Sequence, residues 1–356
     1  MKLLILIALL LLVLWPALAQ ARSRLVVLGY SAEWYDDKVP PAQYHWENLT
    51  HLARAFLEPN ADGSLRIPPR FFDPLLAENA KKHGVKLLAS IGGESAGNTN
   101  WKAIAADPAK TQKFLDQLDR EVGGRGWDGV DIDWEPSPIN DQEAGLYLRL
   151  MTAIHQRFPR WTLTTALMAG DQWVAHVPWR DLVKKVDFVN LMTYPLAGPW
   201  MGHSAHQTNL YPSDRTSGKG EMNVDGLVRN LLDHHRVPSR KIVLGLVFWA
   251  MKFPTQHLGE KLGTLKEGDM GGYPASQVPD LEKDPDYRKF WDEKAGVPYL
   301  ERIRGGKATV SFEDPRSIRL KLEYARKKKL GGVMFWHIGS DMKDGRALLQ
   351  DVLSDR

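Results

Sequence analysis

Eight short runs rich in Val, Ile, Leu and Phe recur along the chain: Leu25 to Tyr30, Leu52 to Leu57, Lys86 to Ile91, Gly129 to Glu135, Leu163 to Met168, Phe188 to Tyr194, Ile242 to Trp249 and Gly332 to His337. They are continuously apolar rather than alternating, which suits parallel strands covered by helices. Helical patterns separate them, so each pair of runs reads as a βαβ unit. Eight such strands predict an α/β fold, a TIM (β/α)8 barrel over residues 22–356. Helix punctuation agrees near the end of the chain, where Asp314 can cap, Pro315 takes the first helical position and Gly331 follows the last turn. Residues 251–309, with Gly271-Gly272, several prolines and the pairs Phe290-Trp291 and Pro298-Tyr299, read as a small insertion between strands seven and eight, lying over the barrel mouth.

Residues 1–21 read as an export signal rather than as part of the fold. Lys2 supplies a positive charge, Leu3 to Trp15 an apolar run, and Pro16 a break before small residues. The run is shorter than the roughly 20 residues a bilayer crossing needs, so no membrane span is expected in the mature chain, which is expected to be secreted or periplasmic. The chain contains no cysteine, which excludes a disulfide framework, a thiolate metal site and a cysteine nucleophile. The net charge of +4 is spread among acids rather than gathered, and nucleic acid is not an expected partner.

The chemistry concentrates in Gly126-Trp-Asp-Gly-Val-Asp-Ile-Asp-Trp-Glu135. Residues two apart in a strand share a face, so Asp131, Asp133 and Glu135 form a row pointing into the barrel, with Glu135 nearest the C-terminal mouth where barrel enzymes place catalysis. Neighbouring buried carboxylates cannot all ionise cheaply, so at least one pKa rises and a proton is kept near neutral pH. A solvated acidic turn is disfavoured by the interleaved Val130, Ile132 and Trp134, and a calcium loop by the missing glycine and oxygen-rich spacing.

The segment Asp128 to Glu135 resembles the Asp-Gly-x-Asp-x-Asp-x-Glu signature of glycoside hydrolase family 18, the chitinases and related endo-β-N-acetylglucosaminidases. Gly29-Tyr30, Ala55-Phe56, Ser90-Ile91-Gly92-Gly93, Met192-Thr193-Tyr194, Leu244-Gly245-Leu246 and Trp336 resemble family landmarks in the same order. The resemblance implies that Glu135 protonates the leaving oxygen, Asp133 orients the 2-acetamido group, Asp131 shares a proton with Asp133 and Tyr194 hydrogen-bonds the acetamido carbonyl. It places substrate against Tyr30, Phe56, Gly92, Gly93, Met192, Trp200 and Trp336, the last as the floor of the cleavage subsite. Asp133 and Glu135 stand on one strand, whereas two-carboxylate retaining enzymes set acid and nucleophile on opposite sides, roughly 5 to 5.5 Å apart. The substrate's own acetamido oxygen is therefore the natural nucleophile.

The expected partner is an N-acetylglucosamine-containing polysaccharide or oligosaccharide, met by a monomer without cofactor or metal. Chitin, peptidoglycan and glycoprotein glycans are not separated by the loops, and a catalytically silent sugar-binding protein is disfavoured by the retained Glu135. Trp134 and Trp249 also lie near strand ends, Trp134 reading as core. One departure stands out: the family's usual aspartate after the strand-six tyrosine is Pro195 here. Ser90 to Gly93 lacks the Gly-Lys-Ser/Thr of a phosphate cradle. The pairs His203/His206 and His234/His235 read as structural or solvent-facing, the first for want of a nearby acidic partner in the sequence.

Overall fold

A computed structural model describes residues 25–135, 140–216 and 221–341; the expected export signal at 1–21 lies outside them. Eight parallel strands close into a barrel: β1 Val26–Ala32, β2 His51–Pro59, β3 Lys86–Gly92, β4 Gly129–Asp133, β5 Thr162–Met168, β6 Phe188–Met192, β7 Ile242–Val247 and β8 Gly332–Trp336. Each pairs in parallel with its sequence neighbour, and β8 returns to pair with β1.

Strand alternation sorts side chains into two layers. Val130, Ile132 and Trp134 point outward into one apolar cluster with Trp101, Phe114 and Leu150, which lie on or beside the surrounding helices. Leu28, Tyr30, Leu88, Val243 and Met334 point inward into a second, smaller cluster. Trp134 is fully buried and stacks on Trp101 at 5.4 Å and 13°, a contact of about 0.5–1.5 kcal/mol beyond area burial. It anchors the segment that follows β4 from behind.

Helix ends follow the local chemistry. Asp73 caps Pro74–His83 by accepting from the Leu75 N–H, and Asp314 forms a capping box with Ser317 at the start of Pro315–Lys327, with Pro315 at its first turn. The latter helix is closed by Lys329, at φ 55°, rather than by Gly331, whose N–H already joins the barrel by donating to the Ile242 carbonyl at 2.8 Å.

Between β7 and β8 the chain builds a five-stranded antiparallel sheet in the order Gly271–Pro274, Trp249–Phe253, Thr309–Ser311, Val297–Arg302, Tyr287–Asp292. Ala250, Val278, Leu300, Val310 and Phe312 form its core. The run expected as one strand to Trp249 is therefore two. β7 stops at Val247, the Phe248 N–H donates to the Trp336 carbonyl at 2.8 Å, and Trp249 opens the antiparallel sheet.

Candidate active site

The carboxylate row is built by β4. Asp131 and Asp133 point inward, and because the strand stops at Asp133, Glu135 stands at the C-terminal mouth. Asp131, fully buried, accepts four side-chain hydrogen bonds: from Tyr30 OH (2.9 Å) and Ser90 Oγ (2.9 Å) on Oδ2, and from Thr164 Oγ1 (2.6 Å) and Asn190 Nδ2 (3.0 Å) on Oδ1. Those four donors fill the acceptor capacity of a carboxylate. Burial pushes the Asp131 carboxyl up, and the four bonds pull it back.

Asp133 and Glu135 have no such shell. Burial holds Asp133 well above the ordinary carboxylate range, helped by the charges of Glu135 and Asp131 and by a hydrogen bond to Glu135. That bond raises Asp133 and lowers Glu135, which puts the shared proton on Asp133. Glu135 is itself pushed up to about 7, chiefly by burial and then by the charge of Glu94. Asp133 Oδ1 is buried without a hydrogen-bond partner among the described residues.

Three glycines shape the site. Gly92, at φ 122°, lies so close to Asp133 that a Cβ there would meet its carbonyl oxygen at 1.9 Å, and the Gly93 N–H donates to that same oxygen at 2.9 Å. A Cβ on Gly245 would strike the Tyr194 ring at 2.8 Å, so this glycine seats the tyrosine. Thr193 Oγ1 fixes the same turn by donating to the Gly245 carbonyl at 2.8 Å. Among the described residues Tyr194 OH meets only the thioether of Met334, at 3.4 Å, and burial with the charges of Asp133, Glu135 and Asp131 keeps the phenol neutral. It is a donor short of a good acceptor.

These groups open into a cavity of about 470 Å³. Its aromatic floor combines Trp336 with Phe56, stacked at 5.5 Å and 14°, Tyr30 at 5.6 Å and Trp34 at 6.3 Å. Peptide bonds Ala55–Phe56, Tyr194–Pro195 and Trp336–His337, at the mouth ends of β2, β6 and β8, are cis. The lining is uneven. Glu33, Glu58, Arg66 and Glu94 come from the end of β2 and the segments after β1 to β3, whereas Ala166, Met168, Met192, Pro195 and Trp249, on the side of β5 to β7, carry no charge.

An inward row of three carboxylates at the mouth of an eight-stranded barrel coincides with a family model: that of the glycosyl hydrolases family 18 matches residues 26–341. The chain belongs to glycosyl hydrolases family 18. It is a glycoside hydrolase with family 18 relatives throughout its length. Chitinase B of Serratia marcescens is 27% identical over 385 residues, covering 85% of this chain and 75% of that protein. The family 18 N-acetylglucosaminidase from Paenibacillus barengoltzii superposes with a TM-score of 0.79 at 26% identity, covering 93% of this chain and 99% of that one. Human YKL-39, described as a pseudo-chitinase with retained chitooligosaccharide binding, shares the fold with a TM-score of 0.82 at 21% identity, over 92% of this chain and 96% of its own.

Within this family 18 site, Glu135, Asp133, Tyr194, Tyr30, Phe56, Met192 and Trp336 all line the cavity. Asp131 lies beneath it, bonded to Tyr30. Gly92 and Gly93 are not among the lining residues; they press on the Asp133 backbone and the Phe56 ring. Trp200 is 64% exposed, is not among the lining residues either, and lies over Gly198. The sequence reading missed Trp34, Glu33 and Glu94, which sit in short 3-10 turns after β1 and β3, and the donors Thr164 and Asn190. The last two carried a signal: each is a polar residue at an inward position of an apolar run. His206, read as lacking an acidic partner, is buried with Nε2 3.1 Å from Asp292 Oδ2, a carboxylate 86 positions away that only the fold brings near.

Proposed function

We propose that this protein is an exported hydrolase of β-1,4-linked N-acetylglucosamine chains, of the chitin or chitooligosaccharide type, acting with retention through the substrate's own 2-acetamido group. The observation that carries the reading is the pairing of Glu135, pushed up to about 7, with Asp133, whose buried Oδ1 lacks a partner, in a cavity whose opposite wall bears no carboxylate, both among the described residues. When substrate binds, the proton held on Asp133 passes across their hydrogen bond to Glu135, which gives it to the glycosidic oxygen while the acetamido carbonyl oxygen attacks the anomeric carbon. The bond from that carbon to the glycosidic oxygen breaks, leaving a cyclic oxazolinium on one fragment and a free hydroxyl on the other. Asp133 accepts from the acetamido N–H and stabilises the positive charge, and Tyr194 OH donates to the acetamido oxygen. Water then attacks the anomeric carbon, breaking its bond to the acetamido oxygen and so reopening the acetamido group, and gives a proton to the Glu135 carboxylate.

Burial first, then the charges of Glu135 and Asp131, keep Asp133 protonated in the resting site. The aromatic floor supplies flat stacking area for a sugar ring. Catalytic silence finds no support in the residues, since the acid and its neighbours are all present. Export is supported by Lys2 and the apolar run Leu3 to Trp15. Product analysis by mass spectrometry on chitooligosaccharides, peptidoglycan and free glycans tests the substrate class: cleavage of the first set between N-acetylglucosamine units is expected, and cleavage of peptidoglycan or glycans alone would overturn the assignment.

A further inference from the structure

The two walls of the cleft differ in charge, and register fixes where the difference falls. Gly92 of β3 pairs with Asp133 of β4, so Glu94 and Glu135, each two residues further on, emerge side by side at the mouth. Tyr194 follows β6, on the other side of β4. Glu94 therefore flanks the acid on the side away from Tyr194. In keeping with this, Glu94 is the principal charge acting on Glu135, while the charges acting on Asp133 and Tyr194 are those of the row itself.

The charge on this wall is not neutralised. Arg66, the cation lining the cavity, is taken up by Glu58, to whose Oε2 its Nε donates at 2.8 Å. Glu94 and Glu33 have no ion pair or side-chain hydrogen bond among the described residues. Resting on the proposed function, Asp133 Oδ1 marks the sugar whose anomeric carbon reacts, and the residue is only 4% exposed, so that subsite is specified by an acetamido N–H. The sugar on the leaving side meets Glu94 instead.

We propose that Glu94 is a specificity-determining residue that favours a protonated glucosamine over N-acetylglucosamine on the leaving-group side of the scissile bond. The preferred substrate is then a partly deacetylated chain, acetylated at the reacting sugar and bearing a free ammonium next to it. An exposed carboxylate and a mobile ammonium form a weak, screened pair, which sets the expected preference at about two- to fivefold in kcat/KM.

Two defined oligosaccharides, identical except for an acetamido or a free amine on the unit after the scissile bond, test this at mildly acidic pH. The wild type is expected to favour the amine-bearing one, with the preference shrinking as salt is raised. Glu94→Gln is expected to abolish the preference and Glu94→Lys to reverse it. The same acid cleaves both substrates, so any shift in the Glu135 titration cancels in the ratio. A wild-type ratio at or below one, or a ratio that Glu94→Gln leaves unchanged, would overturn the proposal while leaving cleavage of acetylated chains intact. Failure to cleave either oligosaccharide would overturn the proposed function along with it.

Discussion

The floor and the mouth of one short strand carry the same functional group in opposite states. Asp131, at the floor, is surrounded by four donors drawn from β1, β3, β5 and β6 and is held as an acceptor-only anion. Glu135, at the mouth, has Asp133 as its neighbour and the charge of Glu94 against it, and is pushed up to about 7. Both are largely buried, so burial alone does not decide the outcome. What differs is the number of donors the surrounding strands supply. A satisfied carboxylate becomes a fixed charge, and an unsatisfied one becomes an acid.

The largest expected effect breaks the mouth. Glu135→Gln keeps the size and removes the proton donor, so turnover should fall by about 10²- to 10⁴-fold while oligosaccharide binding persists. Turnover near that of the wild type, measured with the same oligosaccharide, would remove Glu135 from the acid's role.

Breaking the floor should show in stability first. Asp131→Asn offers fewer acceptor sites to four buried donors, and each donor left without a partner costs about 1–3 kcal/mol. Chemical denaturation should give a loss of at least that size, and an unchanged midpoint and slope would mean that the four bonds do not hold the anion.

The mouth should also leave a mark on stability against pH. Glu135 is harder to ionise folded than unfolded, so its contribution favours the folded state fully below its ordinary value of 4.5 and is lost as pH rises through about 7. Asp133, raised in the same sense, extends the trend upward. Glu135→Gln should therefore flatten the fall in Tm between mildly acid and mildly alkaline pH, an effect on the order of 1–3 kcal/mol. A variant whose Tm falls as steeply as the wild type would contradict the raised titration.

The smallest effect concerns Tyr194, whose hydroxyl has only a thioether for company. Tyr194→Phe should leave Tm nearly unchanged yet lower kcat/KM by about 2- to 10-fold, the worth of one neutral hydrogen bond made to substrate. A large drop in Tm without a kinetic effect would give the hydroxyl a structural role instead.

Much of this was legible in the sequence because it rests on short-range periodicity. The eight apolar runs became the eight barrel strands, and the spacing of Asp131, Asp133 and Glu135 put the row on one face. Long-range assembly was not legible. The donors around Asp131 come from strands up to 101 positions away in the chain, as Tyr30 is. The break after Val247 was hidden because an apolar run crosses it without a turn residue. The sheet of the insertion was missed because Tyr287–Asp292 is half solvent-facing and Val297–Arg302, though buried, carries a proline and two charged residues, so neither shows a strong period. Loop residues fared least well: Glu94 and Trp34 reach the cavity and Trp200 does not, and each outcome depends on tertiary packing such as the seat that Gly198 offers the Trp200 ring.

The central proposal is that Glu135 works opposite a wall that, among the described residues, bears no carboxylate, so that the acetamido group attacks. Rapid proton NMR of freshly formed products, with an acetylated oligosaccharide and with one deacetylated at the reacting sugar, reads this directly. The account predicts that the β-anomer appears first from the acetylated substrate and that the deacetylated one resists cleavage. An initial α-anomer, or efficient cleavage at a deacetylated reacting sugar, would contradict it.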